Sequence, residues 1–229
     1  MNTDMHPPDK WFSFGLAFVG GFGDAAGFLL AKTFTGHITG SLVLGAIATV
    51  AHDWRGSIAH FSATACFLAG VPLSARLAVA WPSWLLLPTT LAMEVILITA
   101  AFLALAFHIA PSVEIFVICL SLALGLQNGA FRRTGGISVH TNYLTGMITG
   151  LLAGETKSHG SPVAPHFSIA TDPKNSLLYG IWAMFLLGVG TGAAMVFRFK
   201  ERGILAVMFV LFGLIVRNLT VPRRAESAG

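Results

Sequence analysis

The sequence predicts an all-α protein whose helices form a bundle across a lipid bilayer, and three observations support this prediction. Of the 229 residues, 55% are hydrophobic and only 10% are charged, whereas a soluble domain carries about 25% charged residues. The mean hydropathy is +0.75. The apolar residues also fall into long runs that short polar connections separate. Too few charged residues are present to cover a surface that faces water.

Six of these runs reach the roughly 20 mainly apolar residues that a helix needs to cross a membrane. They are Trp11 to Ala31, Ile58 to Ala80, Leu85 to Ala110, Val113 to Phe131, Leu177 to Phe199 and Gly203 to Leu219. Two shorter apolar segments, Ile38 to Ala51 and Leu144 to Ala153, follow the first and the fourth span. Segments of this length are often re-entrant, so we expect six spans and two short segments. Whether the short segments cross the membrane stays open.

A pattern of polar residues occurs once in each half of the chain, which predicts a two-fold internal repeat. The first copy reads GDAAGF and then FTGHITGS, and the second reads GLQNGAF and then HTNYLTGMITG. Farther along, FLAGVPLSARLAV in the first half aligns with FLLGVGTGAAMVF in the second. The predicted repeats are residues 11–110 and 111–219, with polar tails at residues 1–10 and 220–229 and a polar loop at residues 155–175. Three spans per half would orient the halves oppositely, as in many transporters, whereas four would orient them alike.

The charged residues exclude nucleic acid as a partner and indicate an orientation. The net charge is +4, but the basic residues stand singly or at segment ends, where they face lipid headgroups. With six spans, most Lys and Arg residues lie on the side of the termini, so both termini are expected in the cytoplasm. The N-terminus lacks the basic start of a signal peptide, so the first helix is expected to be retained. Cys66 and Cys119 lie in apolar runs without a CxxC spacing, which predicts free thiols.

Asp24 lies inside the first predicted helix, between Gly23 and Ala25. A charged side chain in the membrane costs at least ~2.5–3.5 kcal/mol, so it must face a partner, water or another helix. Two interpretations are open. Asp24 either contacts a polar substrate, a cation or a proton, or it bonds a neighbouring backbone and caps a broken helix.

Gln127 and Asn128 end the fourth predicted span and provide uncharged polar groups in the second half. Each amide has both donors and acceptors, so the pair can hold a polar ligand or can equally join one helix to another. Each polar site stands beside a GxxxG spacing, Gly23 with Gly27 and Gly125 with Gly129. Close packing of helices is the default meaning of that spacing.

The two loops before the short segments contain His37 and Thr39 in the first half and His140 and Thr145 in the second. If the short segments are half-helices, Thr39 or Thr145 could cap them. Their exposed N–H groups would then favour an anion or a polar group. The alternative is that both loops are ordinary turns at the headgroup level. Neither histidine belongs to a metal-binding motif, so we expect no metal and no cofactor.

Glu94 is a second acidic residue within a predicted span. It is a candidate for a proton relay together with Asp24, His37 and His140, or it makes a structural hydrogen bond. The sequence does not assure a direct ion pair with Arg76, because Arg76 lies near the end of the preceding span.

The pattern GxxDAxxF at Gly21 to Phe28, followed by TGxxTG at Thr35 to Gly40, resembles the first half of the YoaK-like family, also called DUF1275 or UPF0700. The later GLQN stretch and LTG step look like its second half, so the resemblance covers roughly Phe12 to Leu219. It implies a multi-helix protein of the bacterial inner membrane. It supplies no activity and no catalytic residues.

These observations favour a small secondary transporter or permease in which a polar solute or ion binds between the two halves. Asp24, Thr39, Gln127, Asn128 and Thr145 would form the site, and one half would rock against the other. Besides the lipid bilayer, a second copy of the chain is a candidate partner. An intramembrane enzyme acting on a lipid-linked substrate is the second hypothesis, although no GxSxG or HExxH motif is present. A non-catalytic scaffold is the third.

Overall fold

The computed structural model describes residues 10–130, 133–134, 137–138 and 173–220. The helices are α1 (Lys10–Ala31), α2 (Ile38–Val50), α3 (Trp54–Ala80), α4 (Ser83–Ala106), α5 (Ser112–Ala130), α6 (Pro173–Phe199) and α7 (Ala206–Thr220). A 3-10 helix, Lys200–Leu205, joins α6 to α7. The two-residue strands β1 (Arg133–Thr134) and β2 (Ile137–Ser138) pair antiparallel. Apart from these short strands, the regular structure of the described residues is helical, which confirms the predicted all-α class.

Five helical units among the described residues are long and apolar enough to cross a membrane. The fifth unit, Ser176–Thr220, contains both α6 and α7, which are separated at Lys200 by a backbone φ of 51° and by the 3-10 helix. The first short segment forms the 13-residue helix α2, as the sequence predicts. The second, Leu144 to Ala153, lies outside the described residues. The number of crossings and the internal repeat stay predictions.

The helices form two closely packed parallel pairs, α1 with α6 and α3 with α5. In the first pair, the carbonyl of Phe18 lies where a Cβ on Gly188 would be, and Phe22 bears the same relation to Gly192. Contacts therefore advance along both helices in the same direction. In each pair, glycine lets one backbone approach the other more closely than any side chain would permit.

The pair of α3 and α5 shows the same geometry at Gly125 and Gly129. A Cβ on Gly125 would overlap the Phe67 carbonyl, and a Cβ on Gly129 would overlap the Ser74 hydroxyl and the Val71 backbone. Both glycines of this GxxxG spacing thus pack against one helix, which is the default reading of the motif. In the first half they face different partners, as described for the site below.

Helix α1 runs antiparallel to α5, and this contact joins the two pairs. Gln127 on α5 contacts α1 at Leu16, whereas Leu124 contacts α1 farther along, at Gly23. The core between the pairs includes the fully buried side chains of Phe22, Phe116, Leu120, Leu124 and Leu211. Large apolar side chains are exposed on the outside of the bundle, where a soluble protein would place polar ones.

Candidate functional site

The connection between α1 and α2 folds back onto Asp24, which is 3% exposed. Its Oδ1 accepts hydrogen bonds from the backbone N–H groups of Thr35 at 3.1 Å and Gly36 at 2.6 Å. Its Oδ2 lies 2.5 Å from Nδ1 of His37. Both carboxylate oxygens are therefore engaged, one by two backbone donors and the other by a histidine.

These contacts place the start of α2 beside the interior of α1. Asp24 lies about 10 Å before the end of α1 at Ala31, by the 1.5 Å rise of a helix. The chain must return by this distance for Gly36 and His37 to reach it. Helix α2 then extends for about 20 Å from that point. The connection therefore turns back along α1 before α2 begins, and a re-entrant course for α2 stays a prediction.

The direction of α2 follows from its contacts with α3. Near the connection between the two helices, the hydroxyls of Thr49 and Ser57 are 2.7 Å apart. Farther from that connection, Gly45 of α2 lies against His60 of α3. Helices α2 and α3 are thus antiparallel. Because α3 is parallel to α5, and α5 is antiparallel to α1, helix α2 runs in the same direction as α1.

Small and hydroxylated residues make the return of the chain possible. A Cβ on Gly27 would meet the side chain of Thr35 and the Thr33 carbonyl, so glycine is needed where the loop crosses α1. The Thr35 hydroxyl donates to the Gly23 carbonyl at 3.3 Å, and the Ser41 hydroxyl donates to the Phe34 carbonyl at 2.7 Å. Gly27 thus serves the loop, while Gly23 faces Leu124 of α5.

His37 is the partly accessible member of the pair. Its side chain is 37% exposed, and its ring lies against Phe34 and Phe185 with centroid separations of 5.8 Å and 5.7 Å. The hydrogen bond to Asp24 raises the pKa of His37 above its ordinary value, and the negative charge of Asp24 adds to this, while burial opposes it. The imidazole is therefore the accessible part of the pair, while Asp24 stays buried.

Thr39 does not cap α2, so that expectation is wrong. The N-cap position belongs to His37, which makes no side-chain capping hydrogen bond, and Thr39 lies within the first helical turn with an exposed side chain. Asp24 on α1 instead accepts from the backbone N–H groups of Thr35 and Gly36 in the loop before α2, and the N-cap residue His37 contacts its other carboxyl oxygen.

Gln127 and Asn128 differ in their hydrogen bonds. Gln127 donates from Nε2 to the Leu16 carbonyl at 2.9 Å, and Leu16 lies about 12 Å from Asp24 along α1. Gln127 therefore joins α5 to α1. The Oδ1 atom of Asn128 is buried and has no hydrogen-bond partner among the residues that the structure describes.

Glu94 on α4 is 0% exposed, and no described residue bonds either of its carboxyl oxygens. Arg76 is exposed and forms no ion pair with Glu94. His140 and Thr145 of the expected site lie outside the described residues. Thr35, Gly36 and Ser41 belong to the site although the sequence did not single them out as candidates, and the recurring Thr-Gly steps were the one signal near them.

The membrane-length apolar helices define the class of this protein, a polytopic helical membrane protein, and a polar loop folds back onto Asp24 of its first helix. A family model described as "Protein of unknown function (DUF1275)" matches residues 12–217, so the chain belongs to this family. Neither the comparison with curated proteins nor that with solved structures yields a match.

Proposed function

We propose that this protein is a small secondary transporter or permease whose site lies at the start of α2. The observation that carries the proposal is the Asp24–His37 pair: a buried carboxylate and a partly exposed imidazole, 2.5 Å apart, beside the interior of a membrane-length helix. Polar residues within the membrane are costly, and they typically mark the path of a substrate or ion. Broken or re-entrant helices supply such sites in many transporters.

Recurring contacts support two equivalent halves. A Cβ on Gly21 would overlap the Phe185 carbonyl, and a Cβ on Gly125 would overlap the Phe67 carbonyl. Phe67 and Phe185 are the residues that begin the aligned segments of the predicted repeat. The same helix contact therefore occurs once with α1 and once with α5.

The reverse contacts follow the same register. Gly188 meets the carbonyl of Phe18, and Gly70 meets the carbonyl of Leu122. If Gly21 in the first half corresponds to Gly125 in the second, then Asp24 corresponds to Asn128, because each lies three residues after its glycine. We infer that Asn128, with its unsatisfied acceptor, occupies in the second half the position that Asp24 occupies in the first. The halves would then be inverted, since α1 and α5 are antiparallel.

An inverted pair of halves suits alternating access, in which the site faces one side of the membrane and then the other. We place the protein in the cytoplasmic membrane of a bacterium, with both termini in the cytoplasm. A polar solute or ion would bind at Asp24 and the start of α2, where Thr39 is exposed, with Asn128 at the corresponding place in the second half. At 229 residues the chain can also function as a homodimer.

Asp24→Asn tests the proposal, because it removes the charge but keeps an oxygen that can accept from the N–H groups of Thr35 and Gly36. The matched control is Asp53→Asn, since Asp53 is an exposed carboxylate that accepts from the Gly56 N–H at 3.0 Å to cap α3. Purified protein is first screened by thermal shift against amino acids, monosaccharides, nucleosides and monovalent cations. Ligands that stabilise the wild type are then tested for uptake into proteoliposomes.

We expect Asp24→Asn to reduce uptake at least about tenfold, which corresponds to about 1.4 kcal/mol, and Asp53→Asn to have no effect. Size-exclusion chromatography in detergent should show both variants folded. If Asp24→Asn transports normally, or only loses stability, the scaffold alternative replaces the transporter. Turnover of a lipid-linked substrate in detergent, without any gradient, would instead support the enzyme alternative.

A further inference from the structure

Glu94 lies in the middle of α4, and no group in the described part of the chain bonds either carboxyl oxygen. It is about 17 Å from either end of α4, by the helical rise, which is farther than its side chain can reach. The residue is completely buried. Water at the membrane surface therefore cannot solvate the carboxyl group in this conformation.

The neighbours of Glu94 along α4 do not supply a hydrogen bond. Thr90, one turn earlier, donates its hydroxyl to the Leu86 carbonyl at 2.7 Å, and Thr99 donates to the Val95 carbonyl at 2.7 Å. Each hydroxyl has a single proton, so neither can also donate to Glu94. The one-turn neighbours Leu91 and Ile98 are apolar and belong to the main core.

Asp24 and Glu94 are thus two buried carboxyl groups in opposite situations. Asp24 has two backbone donors and a histidine against its carboxyl oxygens. Glu94 has no donor and no cation, so an ionised carboxylate would have nothing to compensate for the loss of water. The neutral acid is the form that this part of the core accommodates.

We propose that Glu94 carries the coupling proton of the transporter, an inference that rests on the proposed function and adds the identity of the coupling ion. In the conformation described, one carboxyl oxygen of Glu94 holds the proton. When the halves rearrange and water reaches Glu94, the O–H bond breaks, the proton passes to water as hydronium, and the electron pair stays on the carboxylate. Hydronium from the opposite side restores the acid.

Several titratable groups lie on the elements packed against α4, but none bonds Glu94. They are Glu114 and Cys119 on α5, Lys200, Glu201 and Arg202 on the 3-10 helix, Arg217 on α7, and Arg55, His60, Cys66 and Arg76 on α3. None of these groups forms a salt bridge or a hydrogen bond with Glu94. The proton on Glu94 therefore has no charged neighbour in contact to oppose or replace it.

Glu94→Gln tests the assignment, because the amide has the shape of the neutral acid and cannot release a proton. Glu114→Gln is the matched control, since Glu114 lies in the first turn of α5 and is partly exposed. The first measurement is infrared difference spectroscopy of purified protein in detergent, before and after exchange into deuterated water. We expect the C=O stretching band of a protonated carboxylic acid in the wild type and in Glu114→Gln, and its loss in Glu94→Gln.

The second measurement follows proton entry with pyranine trapped in proteoliposomes, while the solutes stabilising the wild type in the thermal-shift panel are added outside. We expect wild type and Glu114→Gln to move protons together with solute. Glu94→Gln should exchange solute between the two sides but lose proton movement and lose accumulation driven by a pH gradient.

The outcomes separate this inference from the proposed function. If Glu94→Gln keeps the infrared band, or keeps proton-driven accumulation, the assignment to Glu94 is overturned while transport stands. If the wild type moves neither solute nor protons, the proposed function fails and proton coupling fails with it. In that case loss of the band would show that Glu94 is a protonated structural residue.

Discussion

His37 gives the protein a dependence of stability on pH, because its pKa is raised in the folded state by the hydrogen bond to Asp24. A raised histidine pKa stabilises the fold fully below the ordinary value near 6.5, and this stabilisation is lost as pH rises through the raised value. We predict that His37→Gln lowers the melting temperature at about pH 5.5 and has a smaller effect at about pH 8.5. Thermal unfolding in detergent at both pH values measures the difference.

The matched control for that prediction is His52→Gln, since His52 is an exposed histidine in the connection between α2 and α3. Its replacement should change the melting temperature little, because the side chain is exposed. An equal loss for His37→Gln at both ends of the range would contradict the prediction and would mean that the imidazole acts through packing against Phe34 and Phe185.

The sequence revealed the polar residues of the site better than it revealed their partners. Asp24 and Glu94 were recognisable because an acid within an apolar run has few explanations. The donors to Asp24 were not, because they are backbone N–H groups, which every loop residue provides. Asp24 has hydrogen-bond partners, and Glu94 has none among the described residues, because the loop after α1 folds back along that helix. The hydropathy of the sequence carries no information about the path of this loop.

At the scale of helices, close backbone contact makes Gly188 and Gly190 very different positions on α6. A Cβ on Gly188 would overlap the Phe18 carbonyl of α1, whereas Gly190 has nothing within 4 Å. We predict that Gly188→Ala destabilises the protein by about 1–3 kcal/mol because one backbone must move, while Gly190→Ala is neutral or slightly stabilising. Unfolding in mixed detergent micelles compares the two variants. Equal stability would show that the helices separate without cost.

Helix boundaries were predicted to within a few residues, but helix partners were not. Charged or proline-containing connections, such as the one before Trp54 and the one around Pro82, interrupt the apolar runs and are visible in the sequence. Pairing depends on which face each helix buries, and in a membrane both faces are apolar. The last span began later than predicted, at Ala206, because Lys200–Leu205 form a 3-10 helix with Gly203 packed against Met195.

For the whole molecule, the directions of the helices favour six crossings. Helix α1 is antiparallel to α5, and α3 is parallel to α5. The long helices α1 and α3 therefore run in opposite directions, as they would if α2 returns to the side of the membrane from which its loop came. Eight crossings would require α1 and α5 to be parallel, contrary to the contacts of Leu16 and Gly23. The sequence left this choice open because a 13-residue helix is compatible with either arrangement.

The connections on either side of α2 distinguish these topologies directly. We predict that cysteines replacing Lys32 and His52 react with a membrane-impermeant maleimide from the same side of the membrane, because α2 starts beside the interior of α1 and runs parallel to it. A cysteine replacing Pro82 should react only from the opposite side, since α3 crosses between them. The measurement is made in a protein in which Cys66→Ser and Cys119→Ser remove the native thiols. Labelling is compared between intact cells and inverted vesicles. A cysteine replacing His108 is a further marker for the side of the membrane on which Lys32 lies. Labelling of positions 32 and 52 from opposite sides would show that α2 crosses the membrane, and the re-entrant site at Asp24 would then have to be abandoned.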